Sequence, residues 1–178
     1  MKGVQKMLTK RTETINSMTE DILSLYSIDI PVSDMREVVR IIGGKVRENG
    51  FMNALSDGVI KKDGNSFCVI IPCGISKTKE NVMLAECLGQ LFLCAGYMVN
   101  NDIWDKIRNG EQLKPVPVGQ YGSISSFATA FFMPKDRFRH VVDDNMNGNI
   151  VNISMVAKYF NVSEDAVSYR GRDLGYWK

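Results

Sequence analysis

Three residues of this 178-residue chain raise a question of chemistry by type and spacing together: Glu86, Cys87 and Gln90, at i, i+1 and i+4 of a predicted helix. Side chains four apart on a helix stand one above the other. Glu86 and Gln90 therefore form a polar pair on one face, with Cys87 beside them. A cysteine nucleophile would need a base within hydrogen-bond reach and a group to orient that base. The chain has one histidine, His140, in the helix expected after Pro134. A mid-helix cysteine lacks the helix N-terminus that lowers a thiol pKa, and the neighbouring Glu86 raises it. His140 reads as a solvent-facing residue of an amphipathic helix. A soft-metal site from Glu86, Cys87 and Cys94 fails on distance, since the two thiols stand about two turns, roughly 10 Å, apart along the axis. What remains is a polar, non-catalytic face able to line a groove.

The helix that must carry these residues is expected from Lys79 to Ala95, ended by Gly96. Leu84, Leu88, Leu91, Phe92 and Ala95 make its buried stripe. Met83, Glu86, Cys87, Gln90 and Cys94 make the neighbouring one. Before it, residues 1–27 place Met7, Ile15, Ile22, Leu23 and Tyr26 at helical spacing. Ser33 is expected to cap a helix to Ile42 that Gly43 and Gly44 end. A weak strand follows at residues 45–48. Residues 57–62 and 66–71 read as a hairpin turning at Asp63-Gly64-Asn65. After the central helix come a short helix at residues 101–107 and a loop at 109–121 holding Pro115 and Pro117. Phe138, Val141 and Val142 give the next helix an apolar face. Residues 143–149 read as a polar linker. The tail reads as two short helices, the second capped by Ser163 with Glu164 and Asp165 in its first turn.

Three blocks carry a family resemblance. NVMLAECLGQLFLCAGY at 81–97 resembles the central helix of the ImmA/IrrE family, whose pattern is LAHELGHLLL. The zincin motif H-E-x-x-H puts two zinc-binding His on one helix face with a Glu general base between them. Glu86 and Gln90 stand at the two His positions and Cys87 at the Glu position. YGSISSFATAFFMP at 121–134 is similar to the family's EANAFAAELLMP, which sets Ser123 at the acidic ligand. VAKYFNVSEDAVSYRGRDLGYW is similar to the family's closing LAKRFGVSEEAVRYRLRNLG.

The resemblance implies an α+β fold: a minimal zincin-like core of a small sheet and central helix, with an N-terminal helix and a C-terminal helical pair. It divides the chain into an N-terminal helix at 1–27, a peptidase-like domain at 28–145 and a helix-turn-helix-like segment at 146–178. The family implies zinc. A catalytic zinc needs three protein ligands and an open position for water. Glu86, Gln90 and Ser123 are a poor set, and a thiol does not replace the carboxylate base. The expectation is therefore no catalytic residue, no metal and no cofactor. The degenerate positions Glu86, Cys87, Gln90 and Ser123 become parts of a groove with Met83 on one wall and Ser126 on the other. A strand within 57–71 is expected to offer its edge to a peptide.

The resemblance further implies a bacterial protein of a mobile element or stress regulon. Its partner would be a protein, such as a helix-turn-helix repressor of the kind that active members cleave. Two alternatives stand beside it. One is an active metallopeptidase with unusual ligands. The other is a DNA-binding regulator using Ser168, Tyr169, Arg170 and Arg172 of the tail. A net charge of +2 gives little support to nucleic acid or an anionic membrane. The four cysteines lack C-x-x-C spacing and read as reduced thiols. The first residues hold no apolar signal-peptide core, so a cytoplasmic protein is expected. The sequence leaves the oligomeric state open.

Overall fold

The computed structural model describes residues 2–177; the side chains of residues 2–9 and of residue 118 lie outside that description. The expected contribution of Met7 to the first helix therefore lies outside it. The fold is α+β, with eight α-helices, a three-stranded sheet and a two-stranded hairpin among the described residues. The chain divides into two compact units, Asp34–Ser125 and a discontinuous unit of Met1–Ser33 with Ser126–Lys178. The N-terminal helix thus falls in one unit with the C-terminal segment.

In the unit Asp34–Ser125, α2 spans Met35–Ile41 and is capped by Asp34, whose carboxylate accepts from the Arg36 amide. Ser33 was the expected cap; an N-cap carboxylate also complements the positive helix end. Gly43, at φ +98°, reverses the chain after the helix. Strand β1 (Lys45–Asn49) then runs parallel to β3 (Ser66–Pro72), and β2 (Val59–Asp63) pairs antiparallel with β3, in the order β1-β3-β2. The expected hairpin turn is there, with Gly64 at φ +62°. Phe67, Val69 and Ile71 of the central strand are fully buried.

Helix α3 (Lys77–Leu93) is capped by Ser76 and so starts and ends two residues ahead of the expected Lys79 and Ala95. Its buried stripe is Leu84, Leu88, Leu91 and Phe92, as its 3.6-residue period requires. Two polar ties set α3 against α2. The Met35 amide donates to Asn81 Oδ1 at 3.1 Å. Glu80, nearly buried, accepts from Arg36 at 2.6 Å and Lys77 at 2.9 Å. The Arg36 bond holds the Glu80 carboxyl below its ordinary range despite burial. Beyond α3, Tyr97 packs edge-on against Phe67, Phe92 and Trp104. Trp104 ends α4 (Asn101–Trp104).

Helix α5 (Tyr121–Phe132) crosses the division between units after Ser125. The second unit holds α1 (Lys2–Leu25), the rest of α5, α6 (Lys135–Asp144), α7 (Ile153–Phe160) and α8 (Glu164–Asp173). The expected polar linker is instead the end of α6 and a small hairpin, β4 (Met146–Asn147) with β5 (Ile150–Val151), turning at Gly148. Ser163 caps α8, accepting from the Ala166 amide. This unit is organised around Arg170, whose side chain is fully buried. It donates to Asn16 Oδ1 at 2.6 Å and to the Met133 carbonyl at 2.9 Å, and lies 3.4 Å from Asp173. Thr12 completes the set by donating to Asp173.

Candidate functional site: a cavity on the flank of helix α3

Within the unit Asp34–Ser125, one flank of α3 opens onto a cavity of about 460 Å³. Met83, Glu86, Cys87 and Gln90 line it. The opposite wall differs from expectation. Tyr121, Ile124 and Ser125 of α5 line the cavity. Residues at i, i+3 and i+4 share a helix face, and Ser123 falls about 100° away from Ile124. Ser126 belongs to the other unit, where it is buried with its hydroxyl 3.1 Å from that of Tyr169. Neither Ser123 nor Ser126 is among the residues lining this cavity.

The loop between β1 and β2 supplies a wall that sequence reasoning did not place. Leu55, Asp57 and Gly58 face the cavity. A Cβ on Gly58 would meet Cys87 Sγ at 2.6 Å and Met83 Cγ at 3.2 Å, so the backbone reaches α3 only because residue 58 is glycine. No period or motif announces this approach; the sequence places Asp57-Gly58 at the head of the first hairpin strand, whereas β2 begins only at Val59.

The electrostatics follow from these positions. Glu86 is half-buried, and neither its carboxylate nor that of Asp57 has a hydrogen-bond or ion-pair partner among the described residues. Burial, and then the nearby Asp57 charge, push the Glu86 carboxyl above its ordinary range. Cys87 is buried, and burial first, then Glu86 and Asp57, push its thiol up to about 12. A thiolate is the reactive form of cysteine, and burial beside these two carboxylates disfavours that form at Cys87. His140 lies exposed on α6, in the other unit.

Gln90 is committed elsewhere. Its amide Nε2 donates to the Lys114 carbonyl at 2.8 Å. The segment to which Lys114 belongs runs along the outer edge of β2, with Lys61 bridged to Gln112. The edge expected to be open to a peptide is thus covered by the chain itself; β3, the other strand of 57–71, is central. Zinc does not fit this donor set. Gln90 contributes a neutral amide already tied to backbone, and Ser123 stands off the cavity wall. Among the described residues no three His, Cys, Asp or Glu side chains come together in a metal-holding group.

In the tail, the two helices and the turn between them form as expected. Arg170, a candidate for touching nucleic acid, is wholly buried, and the Tyr169 hydroxyl faces Ser126. Arg172 remains exposed.

No family model and no curated protein matches the chain. Among solved structures it is similar to a Mycobacterium tuberculosis transcriptional regulator, at 14% identity with a TM-score of 0.59. The match covers 94% of this chain and 50% of that one, so the chain spans half the regulator's length. At that identity the likeness is one of fold. Among the described residues no helix is long and apolar enough to cross a membrane.

Proposed function

We propose that this protein is a non-catalytic, ImmA/IrrE-like pseudo-peptidase that works by binding a protein partner in the cavity on α3. The observation that supports this reading most is the state of the helix positions that would carry catalysis. They line a cavity of about 460 Å³, within the range of a ligand site, yet hold a neutral amide bonded to backbone, a buried thiol held at about 12 and a carboxylate raised by burial. The residues suit contact and not the activation of water. The partner, by the family resemblance, is a helix-turn-helix repressor encoded at the same locus. A regulatory role is in keeping with the transcriptional regulator that shares the fold.

The test is titration of the purified repressor against the full chain and its Val82→Trp variant. Val82 is exposed and lines the cavity, so a bulky ring there narrows the mouth while sparing the core. Cys87 is a poor place for such a block, because its thiol is buried against Gly58. Binding weakened at least about tenfold by Val82→Trp, with an unchanged melting temperature, supports the reading. Undiminished binding overturns it, as would one tightly held zinc per chain in elemental analysis.

A further inference from the structure

Residues 110–114 behave toward their own unit as a bound peptide does. The Gly110 amide donates to the Lys62 carbonyl at 2.8 Å, the Lys62 amide to the Glu111 carbonyl at 3.0 Å, and the Leu113 amide to the Ile60 carbonyl at 2.8 Å. This is antiparallel strand addition to a sheet edge, in which backbone bonds supply affinity and side-chain pockets supply selectivity. Leu113 is the buried side chain of the segment. Gln90 then grips the Lys114 carbonyl from α3, and Pro115 ends the ladder because it has no amide hydrogen to give.

The segment also divides space. A second cavity of about 420 Å³ borders the same segment, lined by Cys94, Ile103 and Ile107 among others. Gln90, Gln112, Leu113 and Pro115 line both cavities. Displacement of the segment would remove the wall the two cavities share at Gln112, Leu113 and Pro115 and would leave the outer edge of β2 unpaired. The mouth of the first cavity carries Leu55, which is 84% exposed, and the same loop carries Phe51, at 101%. These give an incoming partner apolar contact that the chain's own segment does not use.

We propose that residues 110–116 are a ligand held in cis by the protein's own groove, and that its partner binds by replacing them with an extended peptide of like chemistry. That chemistry is an apolar residue seated where Leu113 sits, followed by a basic residue and a proline, as in Glu111-Gln112-Leu113-Lys114-Pro115-Val116. The proposal rests on the cavity being the partner site. A tethered occupant competes at an effective concentration that reaches the millimolar range, so a short free peptide fails against it. A partner that also covers Phe51 and Leu55 succeeds.

The experiment uses the full chain and a variant with residues 110–116 replaced by a Gly/Ser linker of equal length. The probe is a fluorescein-labelled peptide of sequence GEQLKPV, read by polarisation. The folded variant is expected to bind it saturably, at least about tenfold tighter than the full chain does, and to lose a probe carrying Leu113→Asp. A folded variant with no saturable binding at millimolar peptide, or a full chain that binds equally well, overturns the proposal. Hydrogen exchange on the full chain decides the matter should the variant not fold. The Gly110 and Leu113 amides are then expected to exchange about a hundredfold faster than the Val69 amide of β3, by local opening. Exchange at equal rates overturns the proposal. If Val82→Trp abolishes repressor binding while GEQLKPV fails, the partner site stands and only the cis ligand falls. If GEQLKPV binds while Val82→Trp leaves the repressor untouched, the cis ligand stands and the partner reading falls.

Discussion

Glu80 and Glu86, six residues apart on α3, should respond to acid in opposite directions. Arg36 and then Lys77 hold Glu80 below the ordinary carboxylate range, so its stabilising effect is present at neutral pH and is lost as pH falls through its folded value. Burial raises Glu86, so the folded state favours its neutral form, and that contribution is present in acid and lost as pH rises through its folded value. Glu86→Gln is therefore expected to raise the melting temperature at pH 7 by about 1–2 °C, the half-exposed site screening the effect. The gain should vanish near pH 4, as thermal melts across that range will show. A lowered melting temperature at pH 7 would mean that Glu86 has a stabilising partner. The thiols divide in the same local way. Cys73 is exposed and Cys87 is buried at about 12. Alkylation at pH 8 followed by peptide mapping should label Cys73 first and Cys87 only on unfolding. Prompt labelling of Cys87 would refute the burial argument.

At the scale of elements, the closest approach in the site is that of the β1–β2 loop to α3. Gly58→Ala puts a methyl carbon 2.6 Å from Cys87 Sγ, and overpacking of this kind costs about 1–3 kcal/mol. Adding Cys87→Ala removes the obstructing sulfur. The double variant should then recover most of the loss, a non-additivity that chemical denaturation measures directly. Strictly additive losses would place the strain elsewhere. The α8 cap offers a smaller, independent check. Ser163→Ala removes the acceptor of the Ala166 amide and should cost about 1 kcal/mol.

For the molecule as a whole, the discontinuous unit depends on residues far apart in sequence meeting at Arg170. Arg170→Ala leaves Asp173 without its buried partner, and removal of one partner of such a pair costs about 3–5 kcal/mol. Arg170→Lys should recover little, since an ammonium cannot reproduce the planar contacts to Asn16 and the Met133 carbonyl. Urea unfolding will rank the three forms. Much of this molecule was legible in the chain itself. The period of 3.6 gave α3 its buried stripe, the alternation and Asp63-Gly64 turn gave the β2–β3 hairpin, and Ser163 marked the start of α8. These are local signals, set by backbone sterics and by which face must leave water. The remainder was decided only in three dimensions. The sequence puts Arg170 on a polar helix in a helix-turn-helix pattern, and packing buries it, because Asn16 and the Met133 carbonyl arrive from distant segments. The sequence makes 109–121 a loop, and the tertiary fold lays part of it along β2, because an edge strand's unpaired amides and carbonyls accept any extended backbone brought alongside. Backbone pairing of that kind has no side-chain signature. The cover over the groove therefore became visible only once β2, α3 and residues 110–114 stood together.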